Sequence, residues 1–94
     1  MIRHVSVFTL KEGLDATRLR EAIDIVRERV PGAISSAYGP DLGLRAGNAG
    51  FALSFDFADE SAYRAWDADP EHERIRREMV VPLLAGVQRC QFRI

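Results

Sequence analysis

The stretch Ile2 to Leu10 alternates as a β-strand does, and both of the faces it makes are largely apolar. Ile2, His4, Ser6, Phe8 and Leu10 share one side, and Val5, Val7 and Thr9 the other. A strand with one wet face needs apolar residues on one side only. Each face of the sheet built on this strand therefore has to be covered, and that demand constrains the fold more than any other feature.

The rest of the chain supplies cover for one side. Lys11 to Leu14 turn around Gly13, and Asp15 caps a first helix, with Leu14 and Leu19 placed for a hydrophobic staple. Leu19, Ala22, Ile23, Val26 and Val30 recur at helical spacing, with Arg18, Glu21, Asp24, Arg27 and Glu28 outside, and Pro31-Gly32 ends the helix. Ile34 to Tyr38 reads as a short second strand. The loop from Gly39 to Asn48 is long enough for recognition or mobility, and its Arg45 is read as solvated unless it meets an anionic ligand. Phe51 to Phe57 is the clearest strand, with Phe51, Leu53, Phe55 and Phe57 on one side. Asp56 faces the other way, toward a polar partner across an interface or a wet channel.

Asp59 caps a helix of about Glu60 to Asp67, with Ala62, Tyr63 and Trp66 inward, and Asp69-Pro70 starts another that reaches about Val81. Glu73 with Arg77 and Arg74 with Glu78 are expected surface pairs worth only tenths of a kcal/mol. Pro82 and Gly86 break the chain, and Val87 to Ile94 forms a last strand with Cys90, Phe92 and Ile94 on one face. Cys90 is expected to be a small buried hydrophobe.

Strand, helix, strand, strand, helix, strand is the order of a ferredoxin-like α+β domain with a four-stranded antiparallel sheet, here a single domain over residues 1–94. Helices cover one face of such a sheet. The other carries Val5, Val7 and Ala52, so a second copy is the simplest cover: a two-fold homodimer with its sheets face to face.

Charges are mixed, with a net −1, and no basic stripe offers itself to a nucleic-acid backbone. No apolar run has the length of a membrane span or a leader, and the single Cys90 suits a reducing cytoplasm. The preference for Arg over Lys, with many Ala, hints at a GC-rich bacterial genome.

The candidate chemistry lies at Asp69-Pro70-Glu71-His72. From this capped start His72, Ile75 and Met79 fall on one side of the helix, so His72 faces inward while Arg74, Arg76 and Arg77 point mostly elsewhere. His72 has three readings: a general base removing a proton next to a carbonyl, a ligand contact, or a structural histidine tied to backbone. The helix N-terminus disfavours its imidazolium, Asp69, Glu71 and Glu73 favour it, and sequence leaves the sign of the net shift open. His4 can meet His72 only if its side of the first strand is the helix-covered one, and taken alone it reads as a satisfied core histidine. That enclosure would also hold Ser6 and Phe8, with Tyr63 and Trp66 as wall, around a small, mostly apolar or aromatic ligand. Two histidines without a third convergent ligand make a poor metal site, and no glycine loop supports a phosphate-bearing cofactor, so none is expected.

Ile2-Arg3-His4-Val5, the strand Phe51 to Phe57 with Ala58-Asp59-Glu60-Ser61 after it, and Asp69-Pro70-Glu71-His72 together resemble the stress-responsive A/B barrel domain (Dabb) family. Its usual pattern is a strand opening Ile-x-His, a strand ending Asp-Phe, and then His-Pro-x-His. The resemblance spans essentially the whole chain and implies a dimeric α+β barrel. The family includes stress-induced plant proteins and a polyketide cyclase that works by aldol condensation. The resemblance assigns that cyclase's two histidines to His4 and His72, His72 serving as base with His4 as its orienting partner. The cyclase's tyrosine, six residues before the second histidine, is Trp66 here, which donates through its indole but is no phenolic acid. The first histidine of the motif is Asp69, which keeps the cap. The resemblance thus implies a binding protein for a small apolar or aromatic ligand, or a cofactor-free polyketide cyclase or lyase. Fold analogy alone adds a cofactor-free monooxygenase of aromatic polyketides.

Overall fold

The computed structural model describes residues 1–94. Strand β1 (Ile2–Leu10) is followed by helix α1 (Thr17–Arg29), strands β2 (Ser35–Pro40) and β3 (Phe51–Phe57), helices α2 (Glu60–Ala68) and α3 (Pro70–Ile75), and strand β4 (Leu84–Arg93). The sheet is antiparallel in the order β2-β3-β1-β4, the ferredoxin-like α+β arrangement. β1 is thus a central strand, which explains why both of its faces carry apolar residues.

The helices lie on the face of Ile2, His4, Ser6 and Phe8, and all four are buried. Phe51, Leu53, Phe55 and Phe57 share that side of β3 and pack with Leu19, Ala22, Ile23 and Val26 of α1, and with Trp66 and Ile75. The strand read as Phe51 to Phe57 has those bounds, because its alternation is unbroken. β2 begins one residue later and ends two residues later than expected. Gly86 does not break the chain; it lies inside β4 where the register shifts opposite Thr9 and Leu10, a bulge that a glycine accommodates easily.

Each helix start is anchored by an aspartate. Asp15 Oδ1 accepts from the Thr17 amide at 2.8 Å, although Ala16 occupies the cap position itself. Asp59 Oδ1 accepts from Ala62 N at 2.8 Å, and Asp69 Oδ1 from Glu71 N at 2.8 Å and His72 N at 3.3 Å. The helix expected to run to Val81 as one piece stays α-helical only as far as Ile75. It then widens into a π turn over Arg76–Val80 and tightens into a 3₁₀ turn over Val81–Leu83. Pro82 has no amide hydrogen with which to continue an α-helical ladder.

Several expected side-chain partners differ. Asp56 finds its partners within the chain: Arg3 donates to it twice, at 2.8 and 3.0 Å, and Ser35 Oγ at 2.8 Å. Arg3 stands opposite Asp56 in the β1–β3 register, which brings the guanidinium to the carboxylate. Glu73 does not pair with Arg77, whereas Arg74 does pair with Glu78, at 3.5 Å, and also with Glu71, at 2.7 Å. In the long loop Asp41 accepts from Gly43 N and Asn48 Nδ2, so the loop is braced from within while Leu42, Leu44 and Arg45 stay exposed.

The second face of the sheet is open in the single chain. It presents Val5, Val7, Ala52, Cys90 and Phe92, with Phe92 46% exposed. Cys90 is therefore exposed and not buried as expected, because it stands opposite Val5 on the side away from the helices.

Candidate functional site

Between the helix-covered face of β1 and the helices lies a pocket of about 60 Å³. At about 30 Å³ each, such a space holds on the order of two waters. His4, Ser6 and Phe8 enter from alternate positions of β1, which by the two-residue repeat share a face. Trp66 comes from the last turn of α2, His72 from the first turn of α3, and Ile23, Val26, Leu53, Val80 and Leu84 make the apolar wall. The five residues His4, Ser6, Phe8, Trp66 and His72 that sequence nominated thus meet in one pocket. Tyr63 does not line it. Its ring packs on that of His4, with centroids 5.2 Å apart, and borders a neighbouring groove beside Ile2 and Gln91.

His72 is the most constrained group. Its Nδ1 lies 2.8 Å from the Trp66 carbonyl oxygen, which only accepts, so Nδ1 carries the proton and Nε2 keeps its lone pair. The contact is possible because α2 ends at Trp66-Asp67-Ala68 and the Asp69 cap turns the chain straight into α3. The Trp66 ring sits against the imidazole, with centroids 4.2 Å apart. On the other side, Arg76 places a guanidinium nitrogen 3.3 Å from Nε2. The His72 pKa is lowered, mainly by burial; the Trp66 hydrogen bond opposes the shift, Arg76 adds to it, and Asp67 and Asp69 oppose it. Burial thus decides the sign that sequence left open, and the ring is a neutral base at ordinary pH.

His4 is buried as well, but its hydrogen bonds do not go to His72. Its Nδ1 lies 2.9 Å from Gln91 Nε2, and its Nε2 lies 3.1 Å from Ser6 Oγ. With the Gln91 amide donating to Nδ1, the Nε2 proton is donated to Ser6 Oγ, and the serine hydroxyl is left to donate to a ligand. The two histidines flank the Trp66 ring, at centroid distances of 5.6 and 4.2 Å. His72 is therefore oriented by the Trp66 carbonyl, not by His4 as expected. The Trp66 indole nitrogen is itself buried without a hydrogen-bond partner.

Sequence reading missed four polar residues of the site: Asp67, Arg76, Arg89 and Gln91. Arg76 was expected to point away, yet it donates to Asp67 Oδ1 at 2.9 Å and reaches His72. Its spacing of four from His72 puts both on one helical side, a signal that its charge masked. Gln91 and Arg89 stand opposite His4 and Ser6 in the β1–β4 register. Their positions follow only once that register is known.

A family model described as Stress responsive A/B Barrel Domain matches residues 2–92. No curated protein matches the chain. Among solved structures, a dimeric ferredoxin-like protein of unknown function from Thermobifida fusca is 29% identical with a TM-score of 0.84, over 99% of this chain and 90% of that one. A hydroxynitrile lyase from Passiflora edulis is 18% identical with a TM-score of 0.81, over 99% and 92%. SnoaB, a cofactor-independent oxygenase from Streptomyces nogalater, is 14% identical with a TM-score of 0.78, over 99% and 91%. The last two likenesses are of fold.

Burial of neutral histidine also gives the fold a pH dependence. Burial, the largest cause, lowers the His4 pKa from 6.5 to about 4, with Asp67 opposing the shift and Arg89, His72 and Arg76 adding to it. A histidine lowered on folding contributes stability in full above its unfolded pKa, and that contribution is lost as pH falls through the folded one. His4 is therefore expected to remove at most about 3 kcal/mol between pH 6.5 and 4, with His72 acting in the same direction. Urea unfolding of the wild type across this range should show the loss, and His4→Gln should flatten it. An ordinary His4 titration near 6.5 would contradict the assignment.

Proposed function

Because the chain belongs to the stress responsive A/B barrel domain family, we propose that its pocket binds a small carbonyl compound and that His72 Nε2 removes a proton from the carbon beside the carbonyl. The observation that carries this reading is the His72 tautomer: a proton held on Nδ1 by the Trp66 carbonyl, and an Nε2 lone pair at the pocket that accepts from Arg76 at 3.3 Å, a hydrogen bond the substrate displaces before its proton moves to Nε2. A neutral base of lowered pKa stays deprotonated at and below neutrality. As the proton leaves, charge develops on the carbonyl oxygen, and Arg76, held by Asp67, supplies a cation next to the base. Ser6, accepting from His4, has a hydroxyl free to donate to the same oxygen.

The apolar wall from Ile23 to Leu84 suits a ligand with one apolar side. The space of about 60 Å³ favours a few heavy atoms; it lies far below the roughly 300–1,000 Å³ of drug-sized sites, so a polyketide-sized ligand requires the pocket to open. That a lyase and an oxygenase share the fold supports chemistry in this enclosure over binding alone.

A second copy completes the molecule in this reading. Val5, Val7, Ala52 and Phe92 form an apolar sheet face that helices leave uncovered, and the Thermobifida fusca protein of similar shape is described as dimeric. The pocket lies on the opposite face, so pairing through the sheet leaves it accessible.

Hydroxyacetone in D2O tests the chemistry. Wild-type protein should speed deuterium exchange at the carbons beside the carbonyl, followed by proton NMR, and His72→Ala should lose about 100-fold or more. Exchange at the buffer rate with wild type, or undiminished exchange with His72→Ala, would defeat the reading. Sedimentation at micromolar concentration should give a dimer; a stable monomer would exclude the sheet-to-sheet assembly.

A further inference from the structure

We propose that the molecule taken by this pocket is a small carboxylate, and that Arg89 is the residue that holds its anionic group. The inference rests on the proposed function for the reacting carbon, and on the charges around the pocket for the anion.

Three charged side chains line the pocket: Asp67, Arg76 and Arg89. Asp67 and Arg76 pair with each other at 2.9 Å, so together they add no net charge to the pocket, although Arg76 keeps its donors turned toward His72. Arg89 has no ion pair and no side-chain hydrogen bond. Both histidines are neutral, so neither offers a cation in its place. The pocket therefore carries one uncompensated positive charge, and it belongs to Arg89.

The position of that charge is fixed by the sheet. Arg89 stands opposite Ser6 on the edge strand β4, on the face that the pocket occupies. β4 is an edge strand, and on its helix-covered face Arg89 reaches the pocket while Gln91 stands next to it against His4. Gln91 is engaged with His4, whereas Arg89 is free. The guanidinium is a planar fork whose donors match the two oxygens of a carboxylate. A short 2-oxo acid would then place its carboxylate at Arg89, its carbonyl oxygen toward Ser6 and Arg76, and its next carbon toward His72.

The size agrees with this. A space of about 60 Å³ takes only a few heavy atoms, which favours a short acid such as pyruvate over a longer one. The step balances within the pocket. The C–H electron pair moves into the enolate, the proton goes to His72 Nε2, and solvent exchange on the imidazolium returns a deuteron to the carbon.

Pyruvate and pyruvamide form a matched pair, equal in heavy atoms and different in charge. Wild-type protein should bind pyruvate at least about tenfold more tightly than pyruvamide by NMR titration, and should exchange its methyl protons in D2O faster. Arg89→Gln should abolish the preference, and Arg89→Lys should retain part of it. Arg89 is exposed and unpaired, so neither substitution removes a structural contact. Equal binding of the pair by wild type, or a preference that survives in Arg89→Gln, would overturn the inference. Exchange of hydroxyacetone that needs His72, together with indifference to the carboxylate, would leave the proposed function standing and remove this one. Arg89-dependent binding of pyruvate without exchange would do the reverse.

Discussion

The hydrogen bond from His72 Nδ1 to the Trp66 carbonyl oxygen, 2.8 Å long, is the interaction on which the site depends. It spans the break between two helices, so it reports on the backbone as well as on a ring. The carbonyl lies in the last turn of α2, where its backbone partner, the Asp69 amide, is 3.4 Å away, and the imidazole supplies a second, closer donor. In return the ring gains a fixed tautomer and orientation. The Asp69 cap makes the contact geometrically possible, because the same residue ends α2 and starts α3 and so places His72 in the first turn of α3. Without that bond either ring nitrogen can carry the proton, and Arg76 would have no defined acceptor to approach.

The two faces of β1 divide the labour of the fold. The helix face mixes buried apolar residues with His4 and Ser6, and these polar groups are tolerated because each is hydrogen-bonded. The open face groups Val5, Val7, Ala52 and Phe92, and its Arg3 is held by Asp56. The pocket is thus built on a strand whose register is pinned from both sides, by β3 and by β4. A one-residue slip of β4 would carry Arg89 and Gln91 to the opposite face. The same division explains why the exposed Cys90 belongs to the open face and not to the core.

Much of this was legible in the residues. The unbroken alternation of Phe51 to Phe57 gave its strand without error, and the Asp-Pro start of α3 placed His72 inward, because both signals are local. The pairing of His4, Ser6, Phe8, Trp66 and His72 followed from strand and helix periodicity together with the family resemblance. What escaped was set by register or by competition between partners. Arg76 looked like a solvated charge, yet Asp67 and His72 offer it acceptors that an outward position would not. Asp56 was expected to face a polar partner across an interface or a wet channel, although β1 and β3 bring Arg3 across from it. The widening of the helix at Arg76–Val80 has no periodic signature, since the apolar spacing tolerates one extra residue in a turn.

Nitrogen NMR of ring-labelled His72 in the native protein tests the central claim most directly. The account predicts a protonated Nδ1, an unprotonated Nε2, and a single titration below the ordinary imidazole value of 6.5. An Nε2-protonated ring, or a titration at or above 6.5, would contradict it, because the lone pair facing Arg76 and the pocket would then be absent where the chemistry needs it.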